Sequence, residues 1–587
     1  MAGKRNDYLV SRALRTFMWA SILTAAAQQL ATLTDAVVVS NFIGPDAISA
    51  VNLVMPVLTL LSCISILFGV GGSILMAKAL GQRDAGEVNR VFTTSVWATL
   101  LYGLVLSALM SWLAPQIVSF ICPSDSRIYP LAVSYMRTVT LGTAFLMAGS
   151  ALQTFVKTDG NPGLVMKAVI LGSVLNLVLD IVFIKLFGWG IAGSAWATIA
   201  SYLAALAVCL THFLKPHCSF RWDWSVLRSV RSTLKLQHAT VKEGFPMSIN
   251  GLLLGVCIYA FNSIVLHAQG DDGMYIWSLC LQLFTLAQMV LGGIATSIYS
   301  IGGLLIGEHD MPGLRLLVRR VLGYVCGALL AVTVLVLLFP GAVGSVFGSG
   351  AVRIGDRLHP ALRIFSLMLL PYAVVAVLRA LYQMVGHRGL SVALSIAQLV
   401  VMVLFVWFFA LMSPGLLWWG FPVSALVLLL FLLLVTMGIR RKEPHVSMMT
   451  LIPRAEEGRA LNISVRLTRD EVVRAMDSVV DFLKQNDVSR SNAFNVRLCC
   501  EELLYNIVSY AVQKCPEKHF VDLHIRCTEP LVSVLLKDDG RPFNPVLKDA
   551  PEGTGQLGLR LVNATSSTIN YKYMYNQNMV YLTFKRQ

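Results

Sequence analysis

Apolar stretches of membrane-spanning length recur along the first three quarters of the chain. A helix needs about 20 apolar residues to cross the hydrocarbon core of a bilayer, and roughly twelve such stretches precede Arg440. They predict a polytopic α-helical membrane protein with about twelve transmembrane helices. We place them at 16–42, 49–79, 91–113, 131–156, 164–186, 190–213, 244–267, 275–306, 319–340, 361–385, 390–412 and 416–438.

The pattern changes after the last of these stretches. Residues 443–460 are polar and contain two prolines, which is typical of a linker. Residues 461–587 then alternate between strand-like and helix-like periodicity and predict one soluble α/β-sandwich domain. Strands are predicted at 463–467, 521–527 and 532–537 and in two closing segments that end at 584, and helices at 470–485, 492–512 and 560–564.

Composition and charge fit this division. Only 13% of the 587 residues are charged and the mean hydropathy is +0.68, whereas soluble proteins carry about 25% charged residues. Lys and Arg exceed Asp and Glu by 14 in residues 1–442 and by 1 in residues 443–587. The basic residues concentrate at the amino terminus and after the second, sixth, eighth and twelfth spans. This positive-inside pattern predicts a plasma-membrane (inner-membrane) protein with both termini cytoplasmic. The sequence predicts no basic, polar face, so we do not expect nucleic-acid binding.

The two halves of the membrane part repeat each other. Three pairs of residues share an offset of 226 and bring the flanking spans into phase. We therefore predict two parallel six-helix lobes, 1–215 and 244–442, joined by a cytoplasmic loop at 216–243, with the substrate between them. The pairs are Gly81 with Gly307, Asp84 with Asp310, and Gly160 with Gly386.

Two acids lie well inside apolar spans. Asp35 falls in the first span, and Asp180 falls in the fifth, one helical turn after Asn176. A carboxylate at that depth is costly, so it usually has a function or a partner. Together these residues can bind Na⁺ through oxygen atoms or can carry a proton; the alternative is that each acid is paired structurally. We expect Lys157 and Arg379 to snorkel, or else to contact an anionic substrate.

The order and spacing of several short motifs resemble the multidrug and toxic compound extrusion (MATE) transporters. The motifs are L-T-D at 33–35, N-F-I-G-P at 41–45, A-K-A-L-G at 77–81, G-N-P at 160–162, N-L-V-L-D at 176–180 and G-I-A-G-S-A at 190–195. The resemblance covers about residues 10–440. It implies an antiporter that exchanges Na⁺ or H⁺ for small organic compounds, with Asp35, Asn176 and Asp180 at the cation site. In the second lobe, Phe261 and Asn262 stand opposite Asp35.

Three motifs in the soluble domain suggest nucleotide binding. Glu502 and Asn506 share one helix face, where a carboxylate can act as a general base and an amide oxygen can bind Mg²⁺. Asp538 ends a strand and can accept a hydrogen bond from an exocyclic amine such as that of adenine. A glycine-rich run at 553–558 opens a helix, whose amides can bind phosphate. No P-loop motif occurs anywhere.

This set resembles the GHKL ATPase superfamily and, within it, the serine kinases of the anti-sigma-factor type. The resemblance implies ATP and Mg²⁺ as cofactors, Glu502 as general base and Asn506 as metal ligand. It also implies that Asp538 recognises adenine. The matching glycines are Gly540, Gly555 and Gly558. Tyr510, Pro542 and Gln556 depart from the family pattern, which affects turnover more than binding. The sequence contains no phosphoacceptor histidine motif, so we do not expect a sensor histidine kinase.

The best interpretation is a cation-coupled exporter with a fused regulatory ATP-binding domain. One alternative is a signalling protein whose membrane half senses a ligand and whose kinase phosphorylates a serine in a partner resembling an anti-anti-sigma factor. The other alternative is export powered by ATP hydrolysis. It is the least favoured of the three interpretations, because a single domain of this kind offers no obvious power stroke.

Overall fold

A computed structural model describes residues 6–121, 126–216, 218–341, 355–453, 460–507, 519–545 and 556–586. The chain forms two compact units. The soluble unit comprises Met1–Thr16, His309–Leu317 and Pro453–Gln587, and the membrane unit comprises Phe17–Glu308 and Val318–Ile452. The finer domain boundaries given above stay predictions.

Twelve helices among the described residues are long and apolar enough to cross a membrane, which confirms the predicted number of spans. The helix that opens the second lobe begins at Val230, inside the stretch predicted as a loop. The helices are α1 (Tyr8–Phe42), α2 (Pro45–Gln82), α3 (Ala85–Trp112), α4 (Ala114–Ile121), α5 (Ile128–Thr158), α6 (Pro162–Asp180, continued by a π-helical turn at Ile181–Leu186), α7 (Gly190–Leu210), α8 (Val230–Ser297, kinked at Gly270 and continued by a π-helical turn at Ile298–Gly302), α9 (Gly303–Gly307), α10 (Met311–Leu338), α11 (Gly355–Ser366), α12 (Leu369–Met384), α13 (Arg388–Met412) and α14 (Gly420–Lys442). Short 3₁₀ turns lie at Thr211–Leu214, Val226–Arg228 and Pro414–Trp419.

The backbone carries the internal repeat. Three pairs of residues with positive φ recur at the offset of 226: Gly44 with Gly270, Arg83 with His309, and Gly160 with Gly386. The aspartates after the second span of each lobe also act alike. Asp84 Oδ1 accepts from Glu87 N, and Asp310 Oδ1 accepts from Gly313 N, each at 2.9 Å. The same turns therefore begin the same helices in both lobes.

The two lobes meet closely where α2 crosses α8 and α9. A Cβ placed on Gly244 would lie 2.0 Å from the carbonyl oxygen of Leu67, and one on Gly307 would lie 2.1 Å from that of Lys78. Only glycine allows backbones to approach so closely. At the same end, buried Glu243 lies 3.2 Å from Lys78 Nζ and accepts two hydrogen bonds from Arg388, at 2.5 and 2.8 Å.

The soluble unit contains a five-stranded antiparallel sheet with strand order β1-β2-β3-β5-β4. Its apolar core joins sheet residues such as Leu536 and Leu582 to helix residues such as Leu483 and Val496. This arrangement confirms the predicted α/β sandwich. The elements are β1 (Ala460–Arg466), α15 (Arg469–Gln485), α16 (Arg490–Asn506), β2 (Phe520–Cys527), β3 (Leu531–Asp538), α17 (Gln556–Thr565), β4 (Thr568–Met574) and β5 (Gln577–Lys585).

Candidate functional site

The first lobe encloses a cavity of about 420 Å³. Its volume lies within the range of about 300–1,000 Å³ that is typical of small-molecule sites. Polar and aromatic side chains from α1, α2, α5, α6 and α7 line it together with apolar ones. They include Gln28, Asp35, Ser62, Tyr135, Gln153, Asn176 and Tyr202.

All three predicted cation-site residues lie in this region. Asp35 and Asn176 line the cavity, and Asp35 Oδ1 accepts a hydrogen bond from Ser194 Oγ at 3.0 Å. Asp180 lies beside Asp35 and is fully buried, with 0% of its surface exposed. Helix α6 carries both Asn176 and Asp180 and passes into a π-helical turn directly after Asp180. Turns of this kind are frequent at functional sites.

The carboxyl group of Asp180 has an unusual environment. Neither of its oxygens has a hydrogen-bond donor among the described residues. A buried carboxylate without donors is strongly unfavourable unless a cation or a proton neutralises it. The pair formed by Asp35 and Asp180, which we call the acidic pair, can therefore take up a cation or a proton.

Sequence reasoning missed several residues around the acidic pair. Tyr135 and Tyr202 line the cavity without any motif that marks them. Ser194 lies in the G-I-A-G-S-A motif. That motif marked the start of the sixth span, but it did not predict the hydrogen bond to Asp35. The prediction that Arg379 snorkels is wrong: its side chain is buried and donates to Gln398 Oε1 at 2.9 Å.

A second candidate site lies at the end of β3 in the soluble unit. Asn506 and Asp538 line one small pocket there, together with Phe543 and Asn578. Asp538 Oδ1 accepts from the backbone N of Gly540 and from Asn578 Nδ2, each at 2.8 Å. Burial raises the pKa of Asp538 to about 6, and these two hydrogen bonds limit the rise.

The remaining predicted residues flank this pocket, as far as the described residues extend. Asn506 is 2% exposed, and its Nδ2 has no hydrogen-bond partner among them. A Cβ on Gly558 would lie 2.0 Å from Glu502 Oε2, so a larger residue at this position would displace that carboxylate. Gly555 lies outside the described residues, as does Tyr510.

These residues fit Mg·ATP. The side-chain amide of Asn506 suits a metal ligand through its oxygen, because amide and carboxylate oxygens are the protein ligands Mg²⁺ prefers. Asp538 offers an acceptor at the buried end of the pocket, and Glu502 faces the turn in which Gly558 allows close approach. Asn506 and Asp538 therefore share one pocket, and Glu502 contacts the turn at Gly558; the roles of the three residues stay predictions.

Comparison with known proteins finds matches for both parts of the chain. A family model described as MatE matches residues 20–182, and one described as histidine kinase-like ATPase domain matches residues 465–584. The probable multidrug resistance protein YoeA of Bacillus subtilis is 27% identical over 341 residues, which cover 57% of this chain and 73% of that protein. The multidrug export protein MepA of Staphylococcus saprophyticus is 24% identical over 259 residues, which cover 44% of this chain but only 56% of MepA.

Solved structures give the same picture for the membrane unit. An outward-facing multidrug resistance MATE family transporter of the MOP superfamily superposes with a TM-score of 0.66 at 25% identity, over 74% of this chain and 96% of that one. A MOP superfamily transporter from Pyrococcus furiosus, described by the reverse polarity of its binding pocket, gives 0.65 at 25% identity, over 71% and 93%.

Twelve spans in two repeated lobes, joined to an antiparallel α/β sandwich, define a multi-pass transporter with an ATPase-like domain. More particularly, the chain joins a MatE domain to a histidine kinase-like ATPase domain, and its homologues are MATE multidrug transporters.

Proposed function

We propose that the chain is a cation-coupled exporter of organic compounds, and that its soluble domain binds ATP and regulates export. The acidic pair supports the first part. Asp180 is buried without a donor beside Asp35, next to a cavity of a size suited to a small organic molecule. The names of YoeA and MepA, which refer to multidrug resistance and multidrug export, agree with such a cargo.

Coupling follows from the cost of charge in this site. An Na⁺ ion or a proton neutralises the acidic pair, so its binding and release change the energy of a buried charge. A cationic substrate in the cavity competes for the same negative charge. Exchange of one for the other, as the lobes alternate, drives export.

Helix α1 supports the regulatory part. It runs without a break from Tyr8 to Phe42 and carries Asp35. Its first turns belong to the soluble unit. There, Tyr8 Oη donates to Asp539 Oδ2 at 2.9 Å and Arg12 forms an ion pair with the same carboxylate. Asp539 directly follows Asp538, the acceptor of the nucleotide pocket.

Further contacts hold this segment in place within the soluble unit. Gln577 Nε2 donates to the carbonyl oxygen of Leu9 at 2.6 Å, and the backbone N of Asn6 donates to Ser464 Oγ at 2.9 Å. The rings of Tyr8 and Phe520 lie 5.4 Å apart. A change at the end of β3 on nucleotide binding would therefore act directly on the first turns of α1, the helix that carries Asp35.

ATP with its Mg²⁺ would be held by the residues already described. Asp538 would accept from the adenine amine, Asn506 would hold the metal, and Gly540 and Gly558 would allow close approach of the phosphates. When bound, ATP supplies a transferable phosphoryl group. Glu502 would orient an attacking hydroxyl group or accept its proton.

Transport in proteoliposomes tests the proposal. Wild-type protein should export an organic cation under an imposed Na⁺ or H⁺ gradient, and Mg·ATP on the side of the soluble unit should change the rate. Asp538→Asn and Arg12→Gln should each remove the ATP effect while export persists. Arg15→Gln is the matched control, because Arg15 is exposed on the same helix. Export that ignores both gradients, or an ATP effect that persists in Arg12→Gln, would contradict the proposal.

The position of Glu502 favours a second function for the soluble domain. Its carboxylate lies against Gly558 at the start of α17, where a general base for phosphoryl transfer is expected. In that case the domain phosphorylates a serine in a protein partner. Transfer of labelled phosphate from ATP to a serine-containing partner, lost in Glu502→Ala, would establish the kinase.

We also propose that both termini are cytoplasmic, on the distribution of Lys and Arg. A reporter enzyme fused after Gln587 should be active only in the cytoplasm. Activity only outside the cytoplasm would contradict this orientation.

A further inference from the structure

Three side chains with metal-binding atoms meet beside the ends of α5 and α7. Asp159 directly follows α5, His212 lies in the turn Thr211–Leu214 that continues α7, and Cys218 lies in the segment beyond it. One ligand atom from each residue lies within 4.8 Å of the other two. Asp159 and His212 are buried, whereas Cys218 is half-buried.

Neighbouring groups fix the orientation of these side chains. His212 Nε2 lies 2.8 Å from Asp159 Oδ2, which also accepts from the backbone N of Ser219 at 2.9 Å. Asn161 Nδ2 lies 3.2 Å from His212 Nδ1 on the opposite edge of the ring. Outer contacts of this kind orient the ligands of metal sites.

We propose that Asp159, His212 and Cys218 bind a divalent transition-metal ion of the zinc class. Carboxylate, imidazole and thiolate are the protein ligands of zinc, and three of them leave a fourth position for water. Bond lengths of about 2.0–2.3 Å in a tetrahedral site place ligand atoms about 3.3–3.6 Å apart. The imidazole and the carboxylate must therefore separate by a few tenths of an ångström, and the thiol must move inward by about 1 Å or less.

Proton balance makes metal binding dependent on pH. The thiol of Cys218 loses its proton to solvent when the thiolate binds the ion. The imidazole binds through Nε2, so its proton shifts to Nδ1. The side-chain amide of Asn161 can accept that proton after rotation, because it offers both a donor and an acceptor. One proton is released for each ion bound, and the apparent affinity rises with pH.

The alternative is a hydrogen-bonded pair of Asp159 and His212 that only fastens two loops. That pair needs no thiol, whereas a metal site does. A substitution at Cys218 therefore distinguishes a metal site from a hydrogen-bonded pair. Serine removes the thiolate with the smallest change in shape.

The test is a titration of the full-length protein in detergent with Co²⁺, followed by competition with Zn²⁺. We expect one ion per chain and a near-ultraviolet thiolate-to-cobalt absorption band. Cys218→Ser should lose the band. Without metal, it should unfold at the same temperature as the wild-type protein. Asn161→Ala should weaken Zn²⁺ binding by about 10–100-fold, and His212→Gln by more.

Cys326→Ser is the matched control, because Cys326 is a part-buried thiol in α10. It should keep the band and the stoichiometry. An unchanged cobalt spectrum in Cys218→Ser, or no stoichiometric binding by the wild-type protein, would overturn the proposal. Because the readout is spectroscopic, failure of this site leaves the transport proposal untouched.

Discussion

Replacement of Asp180 by asparagine should stabilise the protein while abolishing coupled export. The carboxyl group is fully buried, lies beside Asp35 and has no donor among the described residues. Asparagine has nearly the same shape but carries no charge, and its amide can donate to Asp35. The substitution therefore removes the need to neutralise a buried charge and gives Asp35 a donor that does not depend on protonation. A residue that only supported the fold would show the opposite effect.

The size of the effect follows from the burial. An uncompensated buried charge costs several kcal/mol, although protonation relieves much of this cost. We expect the unfolding free energy to rise by about 1–2 kcal/mol, most of it from the new hydrogen bond and the lost repulsion. In a domain of 150–250 residues, 1 kcal/mol shifts Tm by about 2–4 °C. Because the entropy of unfolding grows with chain length, this chain of 587 residues should gain about 1–2 °C.

Asp159→Asn provides the matched comparison. Asp159 is also buried, but its Oδ2 accepts from the backbone N of Ser219 at 2.9 Å and lies 2.8 Å from His212 Nε2. Loss of the charge on Asp159 weakens its hydrogen bonds with Ser219 and His212, which lowers the unfolding free energy by about 1–3 kcal/mol. The same chemical change should therefore lower Tm at position 159 and raise it at position 180.

Thermal unfolding of the purified variants and export from proteoliposomes under a fixed gradient measure the two effects together. Wild-type export by Asp180→Asn would refute the role of the acidic pair. A fall in Tm as large as that of Asp159→Asn would show that Asp180 has a structural partner, and the argument from its missing donors would then be wrong.

Four further outcomes are expected. Glu243→Gln should leave Lys78 without its buried partner and favour opening of the lobes at that end, which faster labelling of a cysteine placed at the α2–α8 contact would show. ATP affinity, measured by calorimetry, should fall about tenfold per pH unit below the pKa of about 6 of Asp538, since the protonated acid no longer accepts equally well. That raised pKa also means that stability increases as the pH falls from about 6 to about 4, because the native state binds this proton more tightly. Gly558→Ala should displace Glu502 and lower phosphoryl transfer by about 10²-fold while the domain stays folded, as circular dichroism would show.

Local pattern predicted most of the elements because each depends on neighbours in sequence. Period 3.6 and apolar length gave the twelve spans, and alternation gave the strands at 521–527 and 532–537. The face shared by Asn176 and Asp180 also follows from one helical turn. In each case the signal lies within a window of a few residues.

Contacts between distant residues could not be found in this way. Arg12 and Asp539 are 527 positions apart, and no periodicity relates them. Asp35 and Asp180 were linked by their depth in apolar spans and by resemblance to a family, not by periodicity, and the tyrosines of the cavity were not found at all. Arg379 was misplaced because its neighbour Gln398 lies on another helix, so burial by tertiary packing was invisible in the sequence.

The internal repeat preserved the backbone but not the chemistry of the two lobes. The turns at Gly44 and Gly270 share positive φ, yet Phe261 stands at the position that corresponds to Asp35. Phe261 packs in an aromatic cluster with Trp277 and Phe421, at ring separations of 5.6 and 5.1 Å. A filled aromatic core offers no charge to a cation. In the proposed mechanism, uptake and release of the coupling ion therefore belong to the first lobe, and the two similar halves have different roles in transport.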